Sequence, residues 1–454
     1  MAVDNTVKNV KASKTYHDDL QMVRNEIDKC MKCGNCMAVC PVYGANKSET
    51  SVTRSKIAIA NAVLKGELLL NEPDVSEMVF NCLVCKSCMT NCPTKVNFDK
   101  ITIGLRAALV RENGMPWLKK MIFSTLKNPK MFDSAMRLGA SLQNIAFKGD
   151  KNKKAMSPRS PFAFVGSSMG FDADRKMPEL NVTPLRDRVP EVVKPLTAKM
   201  KVAFFTGDSL NYFYPDAGMD LIEVLTANDI EVHIPKGQSC CGVPVLVHGD
   251  TDTVRTLAKN NLDEFDKTGC EYLITGCGSC GGAWQHDFVD LMAADPVYGP
   301  KAKYWATRTY DISTFLTKVI QFRKPKGQID TVVTYHDACH LKKSMKVFAE
   351  PREILRNIPG VILKEMSAPD TCCGSGGSYV ISHYDTSSSI GKNKAEDINK
   401  TGADTVSVGC PACMMQLLDN VNRFGKDQKV THYITLLADS YRKERTTMIR
   451  NSRL

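Results

Sequence analysis

The sequence predicts an α+β multidomain chain: a helical, cysteine-rich N-terminal module followed by two pseudo-repeated α/β domains, each marked by a Cys-Cys-Gly. Three observations predict it. Two identical cysteine spacings flank a segment of helical periodicity within the first hundred residues; apolar runs alternate with helical segments from Lys201 onward; and a stretch of the latter region occurs twice. The length agrees, since 454 residues with 43% hydrophobic content exceed one ordinary core. The boundaries read as 1–112 for the helical module, 113–200 for a basic linker, 201–325 for the first α/β domain and 326–454 for the second.

The first cysteine run is Cys30, Cys33, Cys36 and Cys40 followed by Pro41; the second is Cys82, Cys85, Cys88 and Cys92 followed by Pro93. Both read C-x2-C-x2-C-x3-C-P. Three closely spaced thiolates wrap one iron–sulfur cubane, and the fourth, held away by the proline, reaches the other. On that logic one 4Fe-4S cluster takes Cys30, Cys33, Cys36 and Cys92, and a second takes Cys82, Cys85, Cys88 and Cys40. Structural zinc is the competing reading, but zinc sites take their ligands in pairs, which does not explain two runs of four each ending in proline. Between the runs, Ser55–Leu70 has apolar positions at helical spacing, which favours a helical ferredoxin module over the compact two-stranded kind.

The 18 cysteines fall almost entirely in tight clusters, so their use is chemical. Residues 1–25 carry no apolar stretch of the secretory type, so the thiols are expected to stay reduced in the cytoplasm. No run reaches the roughly 18 apolar residues of a membrane span. The longest candidate, around Pro161–Phe171, is short and rich in Gly and Ser. The net charge of +11 is largely local: Met115–Ser160 carries ten Lys or Arg against two Asp. Without zinc-finger spacing or an arginine-rich arm, nucleic acid is not an expected partner. Within Met115–Gly149 two amphipathic stretches are split by Pro129, with Pro116 suited to the first helical position. Lysines mixed with Trp117, Met121, Ile122 and Phe123 suit a helix lying on an anionic membrane or docked on a membrane subunit; a solvated face over a core contact is the alternative.

From Lys201 the order is apolar run, helical segment, apolar run, as in an α/β layout. Asp263–Cys280 matches Glu396–Cys413 almost position by position, and a Cys-Cys-Gly stands upstream of each, at Cys240-Cys241-Gly242 and Cys372-Cys373-Gly374. The second copy has five thiols, Cys339, Cys372, Cys373, Cys410 and Cys413, which two strand ends and a glycine-flanked turn can gather at one edge of a parallel sheet. The glycines from Gly374 to Gly377 are expected to let the backbone approach sulfide and donate N–H groups to it. The first copy has Cys240, Cys241, Cys277 and Cys280, with Asp208 where the fifth cysteine should stand. Cys270 aligns with Ala403 and reads as a buried small residue rather than a ligand.

These residues resemble the family of Cys-Cys-Gly domain proteins that carry a twin 4Fe-4S ferredoxin module in front. The resemblance covers nearly the whole chain. Its members include the catalytic subunit of membrane-bound heterodisulfide reductase and the iron–sulfur subunits of glycolate oxidase, D-lactate dehydrogenase and anaerobic glycerol-3-phosphate dehydrogenase. It implies a noncubane 4Fe-4S cluster on Cys339, Cys372, Cys373, Cys410 and Cys413. For Cys240, Cys241, Cys277, Cys280 and Asp208 it leaves open a cubane, a zinc, or a cluster with an oxygen ligand. Arg54, Pro184–Arg188 and Pro351–Glu353 also follow the family pattern, in structural roles. Beside Cys339 stand His336, Asp337 and His340, which could relay protons to a cluster acting on a disulfide or a quinone, or could donate hydrogen bonds that tune it.

Three functions follow as expectations. In the first, the chain is a subunit of a membrane-associated anaerobic redox complex. It passes electrons between a flavoprotein dehydrogenase (for lactate, glycolate or glycerol 3-phosphate) and quinone or a membrane partner, peripheral at the inner face of the cell membrane. No G-x-G-x-x-G follows a strand, so hydride chemistry belongs to another chain. In the second, the C-terminal cluster is itself the reaction centre of a heterodisulfide-reductase-like or menaquinol-linked enzyme, with His336 and His340 as catalytic candidates. The third, a zinc-stabilised scaffold, does not account for the ferredoxin runs.

Overall fold

The computed structural model describes residues 20–21, 23–150, 155–159, 174–426 and 428–451. The apolar stretch around Pro161–Phe171 and the first nineteen residues lie outside them. No helix among the described residues is long and apolar enough to cross a membrane.

In the N-terminal module, helices α1 (Thr53–Leu64) and α2 (Phe98–Asn113) pack through Ile57, Ala60, Val63, Ile101 and Leu105. The sequence places the first of these over Ser55–Leu70; it stops at Leu64 because the chain turns at Gly66, whose φ is +73°. Leu70 is still buried, but from a turn.

The linker holds α3 (Trp117–Leu126) and α4 (Pro129–Ala146). Pro116 caps α3 from outside rather than occupying its first turn, with an extended ψ of 133°. Pro129 opens α4, and the Asn128 side chain accepts from the Met131 N–H at 3.2 Å. Phe123 and Leu126 are buried with Val245, Leu246, Val254 and Leu257. The opposite side leaves Trp117, Met121, Leu138, Leu142 and Ile145 exposed. A small antiparallel sheet follows, β1 (Phe147–Asp150), β2 (Ala155–Pro158) and β3 (Met177–Pro178), which the sequence does not signal.

Two further sheets carry the C-terminal half. The first comprises β4 (Val192–Val193), β5 (Met200–Phe205), β6 (Ile230–His233), β7 (Tyr272–Thr275) and β8 (Thr309–Asp311), in the order β4-β6-β5-β7-β8. The second comprises β9 (Thr331–His336), β10 (Val361–Leu363), β11 (Thr405–Val408) and β12 (Lys429–His432), in the order β10-β9-β11-β12. All pairings are parallel except β4 with β6. Setting β4 aside, the two orders are the same, with β5 standing for β9 and β7 for β11. Chain direction across the sheet reverses between β5 and β7, and between β9 and β11, so a crevice opens at the carboxyl ends of those strands.

Helices α5 (Pro215–Ala227), α6 (Thr251–Asp266), α7 (Tyr384–Thr401), α8 (Pro411–Phe424) and α9 (Tyr433–Asn451) cover the sheets. Asp250 caps α6 by accepting from the Thr253 N–H at 3.0 Å. One apolar cluster joins Leu221 and Ile274 to Val333, Tyr335 and Tyr433, so the two sheets share a core. The last helix, α9, lies on α5 of the first half, and Arg442 pairs there with Asp220 and Glu223.

Candidate metal centres

The two N-terminal runs have the same backbone course. Lys32 and Val84, one residue before the second cysteine of each run, both take left-handed φ (58° and 52°), as do Gly34 and Lys86 one residue after it (85° and 62°). For a β-branched valine this conformation is a strain that the surroundings must hold. Each run then enters a short helix, Asn35–Ala38 or Ser87–Thr90.

This course brings the thiols into two groups. Cys30, Cys33, Cys36 and Cys92 line a cavity of about 420 Å³, and Cys40, Cys82, Cys85 and Cys88 line one of about 440 Å³. Cys88, Thr53 and Phe98 belong to both linings, so the cavities share a wall. The outer group is open to solvent at Cys33. Arg54 reaches the outer cavity and bonds Glu49 at 2.7 Å. With Cys88 counted in the inner group, each cavity has four thiols of its own, the donor set that a 4Fe-4S cubane takes.

In the C-terminal half each group of thiols comes from a strand end and a loop. Asp208 and Cys339 sit at matching places, three residues beyond β5 and β9, and each opens a short wide-turned helix, Ser209–Phe213 or His340–Ser344. Cys277 and Cys410 follow β7 and β11 and open the next helical segments. In the first group, Asp208 hydrogen-bonds Cys240, Cys240 meets Cys241, Cys241 meets Cys280, and Cys280 meets Cys277. Burial pushes the Asp208 carboxyl up to about 6, against the opposing pull of Cys240 and Arg186. Arg186, in the Pro184–Arg188 segment, also donates to the carbonyls of Lys236 (3.2 Å) and Gln238 (2.7 Å). Cys270 is buried away from this group, its sulfur 3.9 Å from the Thr268 carbonyl.

In the second group, Cys339 hydrogen-bonds Cys372, Cys372 meets Cys373, Cys373 meets Cys413, and Cys413 meets Cys410. His336 lies within 4.8 Å of Cys373 and Cys413, and neither ring nitrogen has another partner. His340 hydrogen-bonds Cys339, and its Nδ1 is 3.3 Å from Ser279 Oγ. Burial opposes a charged His340, but the Cys339 thiol outweighs it and holds the ring above the usual histidine value. Asp337, read from the sequence as a third relay group, is instead held by Arg352 (2.7 Å) and Lys342 (3.3 Å), which occupies its carboxylate. The glycines after Cys373 also have a packing role. A Cβ at Gly374, Gly376 or Gly377 would meet Ser387, Leu83 or Val247 rather than a thiol, so the loop is small in order to pack between neighbouring segments.

Two contacts were invisible in the sequence. The sulfurs of Cys277 and Cys410 lie 3.8 Å apart, which joins the two C-terminal groups. Cys85 of the N-terminal module hydrogen-bonds Cys372, and that contact together with nearby Lys343 draws its thiol down to about 6. Sulfur therefore continues from the inner N-terminal group through both C-terminal groups.

Thiols clustered in this way, without disulfides and at cubane spacing, define an iron–sulfur protein. Residues 26–96 match the 4Fe-4S dicluster domain family, and residues 202–284 and 333–418 match the cysteine-rich domain family. A subunit of the CoM/CoB fumarate reductase of Methanothermobacter marburgensis is 30% identical over 426 residues, covering 91% of this chain and 72% of that one. The probable glycolate oxidase iron-sulfur subunit of Bacillus subtilis is 27% identical over 426 residues, covering 92% and 95%. Lactate utilization protein A of Halalkalibacterium halodurans is 30% identical over 238 residues, covering 52% and 96%. The chain belongs to the family of Cys-Cys-Gly domain iron–sulfur proteins with an N-terminal 4Fe-4S dicluster domain.

Proposed function

We propose that the chain is the electron-transfer subunit of a redox complex, passing single electrons between a flavoprotein dehydrogenase and quinone or a membrane partner. The observation that carries this reading is the run of sulfur contacts: two cavities with a common wall, then Cys85 to Cys372, then Cys410 to Cys277. Iron–sulfur clusters supply one-electron chemistry, and this chain's residues set their order. Cys30, Cys33, Cys36 and Cys92 hold the outer 4Fe-4S cluster; Cys40, Cys82, Cys85 and Cys88 hold the inner one. Cys339, Cys372, Cys373, Cys410 and Cys413 hold a noncubane 4Fe-4S cluster, and Cys240, Cys241, Cys277, Cys280 and Asp208 hold a further cluster or a zinc. The four units 1–112, 113–200, 201–325 and 326–454 divide the work: entry, anchoring and two cluster-bearing domains.

The relatives named as iron-sulfur subunits of glycolate oxidase and as a lactate utilization protein support a 2-hydroxy acid as the partner's substrate. Helices α3 and α4 expose apolar side chains within a basic segment, which supports a peripheral position on the inner face of the membrane. A second reading, in which the C-terminal centre itself reduces a disulfide or oxidises menaquinol, is favoured by the buried His336 ring, whose nitrogens have no partner beyond the neighbouring Cys373 and Cys413 thiols. On that reading His336 and His340 deliver the protons.

Anaerobic iron analysis combined with electron paramagnetic resonance of Cys339→Ala tests both. With one distinct signal lost in the variant, about twelve irons are expected if the Asp208 group holds zinc or no metal and about sixteen if it holds a cluster; about eight with no change would reduce the C-terminal half to a scaffold. A thiol added to oxidised protein separates the two readings, because only a substrate-binding centre changes its signal on exposure to it.

A further inference from the structure

Three cations are buried around the inner thiol group, and among the described residues none of them is in a salt bridge, although the Asp370 carboxylate, which pairs with Lys342, also lies near Lys343. Lys56 on α1 is fully buried; its Nζ donates to the carbonyls of Thr50 (3.1 Å) and Ser51 (2.8 Å), and its charge faces Cys82, Cys40 and Cys88. Arg106 on α2 donates to the carbonyls of Val79, Phe80 and Cys82 on one side and of Val247 on the other, and its guanidinium lies over the Phe80 ring. Lys343, in the turn after Cys339, donates to Ser87 Oγ at 2.6 Å and to the Asp370 carbonyl at 3.1 Å, and faces Cys85, Cys339 and Cys372.

A buried charge costs several kcal/mol unless an opposite charge lies close. Carbonyls supply hydrogen bonds to these three groups but no net negative charge. Lys86, the fourth cation here, differs in having its own carboxylate, Asp99 at 2.8 Å. The surroundings of the outer group differ as well, for Arg54 is partly exposed and paired with Glu49. Around the inner cavity, then, the charges of Lys56 and Arg106 face thiols and no carboxylate, and that of Lys343 is shared between thiols and Asp370. A cubane held by four thiolates is an anion, and it gains a further negative charge on reduction. Burial opposes that gain, because the protein interior solvates charge less well than bulk water does. Nearby fixed cations favour it, and their field is little screened inside the protein.

We infer that Lys56, Arg106 and Lys343 are the positioning charges that hold up the reduction potential of the inner cluster, and that Lys343 acts on the five-thiol centre as well. This rests on the proposed reading that Cys40, Cys82, Cys85 and Cys88 hold a cubane. The step itself is the arrival of one electron from the outer cluster; no bond forms or breaks, and no proton is taken up because the compensating charge is already in place.

The test is a redox titration of the anaerobic full-length chain followed by electron paramagnetic resonance, with the inner signal identified as the one lost in Cys85→Ser. Lys56→Met is expected to move the inner cluster's midpoint to more negative potential while the outer cluster and the C-terminal centre stay where they are. Lys343→Met is expected to move both the inner cluster and the C-terminal centre in the same direction. Lys56→Arg and Lys343→Arg, which keep the charge, are expected to restore midpoints close to the original. Full iron content with unmoved midpoints in both methionine variants overturns the inference and leaves the cluster assignment standing. Unchanged iron content in Cys85→Ser, with no signal lost, overturns the cluster assignment and the inference with it. Should Lys56→Met lose iron, Lys343→Met decides the matter, since Lys343 comes from the C-terminal half and reaches the cavity lining through Ser87.

Discussion

The sulfur of Cys277 lies 3.8 Å from that of Cys410, so the residue that follows β7 in the first half touches its counterpart that follows β11 in the second. The two C-terminal groups are therefore neighbours in one buried space. Cys277→Ser and Cys410→Ser are each expected to change the paramagnetic signals of both groups, whereas Cys270→Ser, at a position outside the thiol chain, changes neither. Iron content and spectra of the three variants check this.

Asp208 takes the place that Cys339 takes in the other half. Asp208→Cys gives the first group five thiols. The expected result is a second signal resembling the one that depends on Cys339, with iron rising by about four atoms per chain if the first group otherwise holds none.

Gly249 has φ +94°, and a Cβ there would stand 2.4 Å from the backbone carbon of Arg106, where α2 meets the first α/β sheet's loops. Gly249→Ala is both strained and blocked. A loss of about 2 kcal/mol or more is expected, seen as a lower unfolding midpoint and faster proteolysis between the N-terminal module and the rest.

His248 is buried in edge contact with Phe123 and against Phe80, and Lys119 and Arg106 add to the effect of burial, bringing its ring down to about 3. The unfolded chain, with an ordinary histidine near 6.5, binds the proton more readily in the window between these values. Stability therefore rises with pH from about 3 to about 6.5 and is lost as pH falls through that range. His248→Phe is expected to flatten this slope in unfolding measured across the window.

Leu138, Leu142 and Ile145 are exposed at helical spacing on α4, beside Trp117 and Met121 on α3. Flotation with vesicles containing an anionic lipid is expected to carry the native chain, and to lose it when the three α4 residues are replaced by serine. Binding to neutral vesicles alone would contradict the part assigned to the lysines of this segment.

The cysteine groupings were legible because iron imposes short, repeated spacings that survive in sequence order. The strands and helices between Lys201 and Pro235 were legible because a parallel strand buried on both faces reads as a continuous apolar run. What could not be read was whatever depends on segments far apart in the chain. Cys85 and Cys372 are nearly three hundred residues apart, and nothing local to either announces the other. Lys56 and Arg106 offered a signal that went unused: each is a charge on the apolar face of its helix, Lys56 beside Ile57 and on the side of Ala60 and Val63, Arg106 between Leu105 and Ala107. The β1–β3 sheet gave no signal, since strands of two to four residues with lysine and glycine have no periodicity to detect. The place of Asp337 beside Cys339 is visible in the sequence, whereas its pairing with Arg352, fifteen residues further on, is not.

The seating of α9 on α5 bears on how the protein is made. During synthesis the N-terminal module has all eight of its cysteines once Cys92 has emerged. The C-terminal centres stand in a different position. The contact of Cys277 with Cys410, and the cover that Arg442 and the rest of α9 give to α5, can form only after those later residues have been made. The contacts within residues 30–92 can therefore close early, and those that join the two halves of the C-terminal region close last.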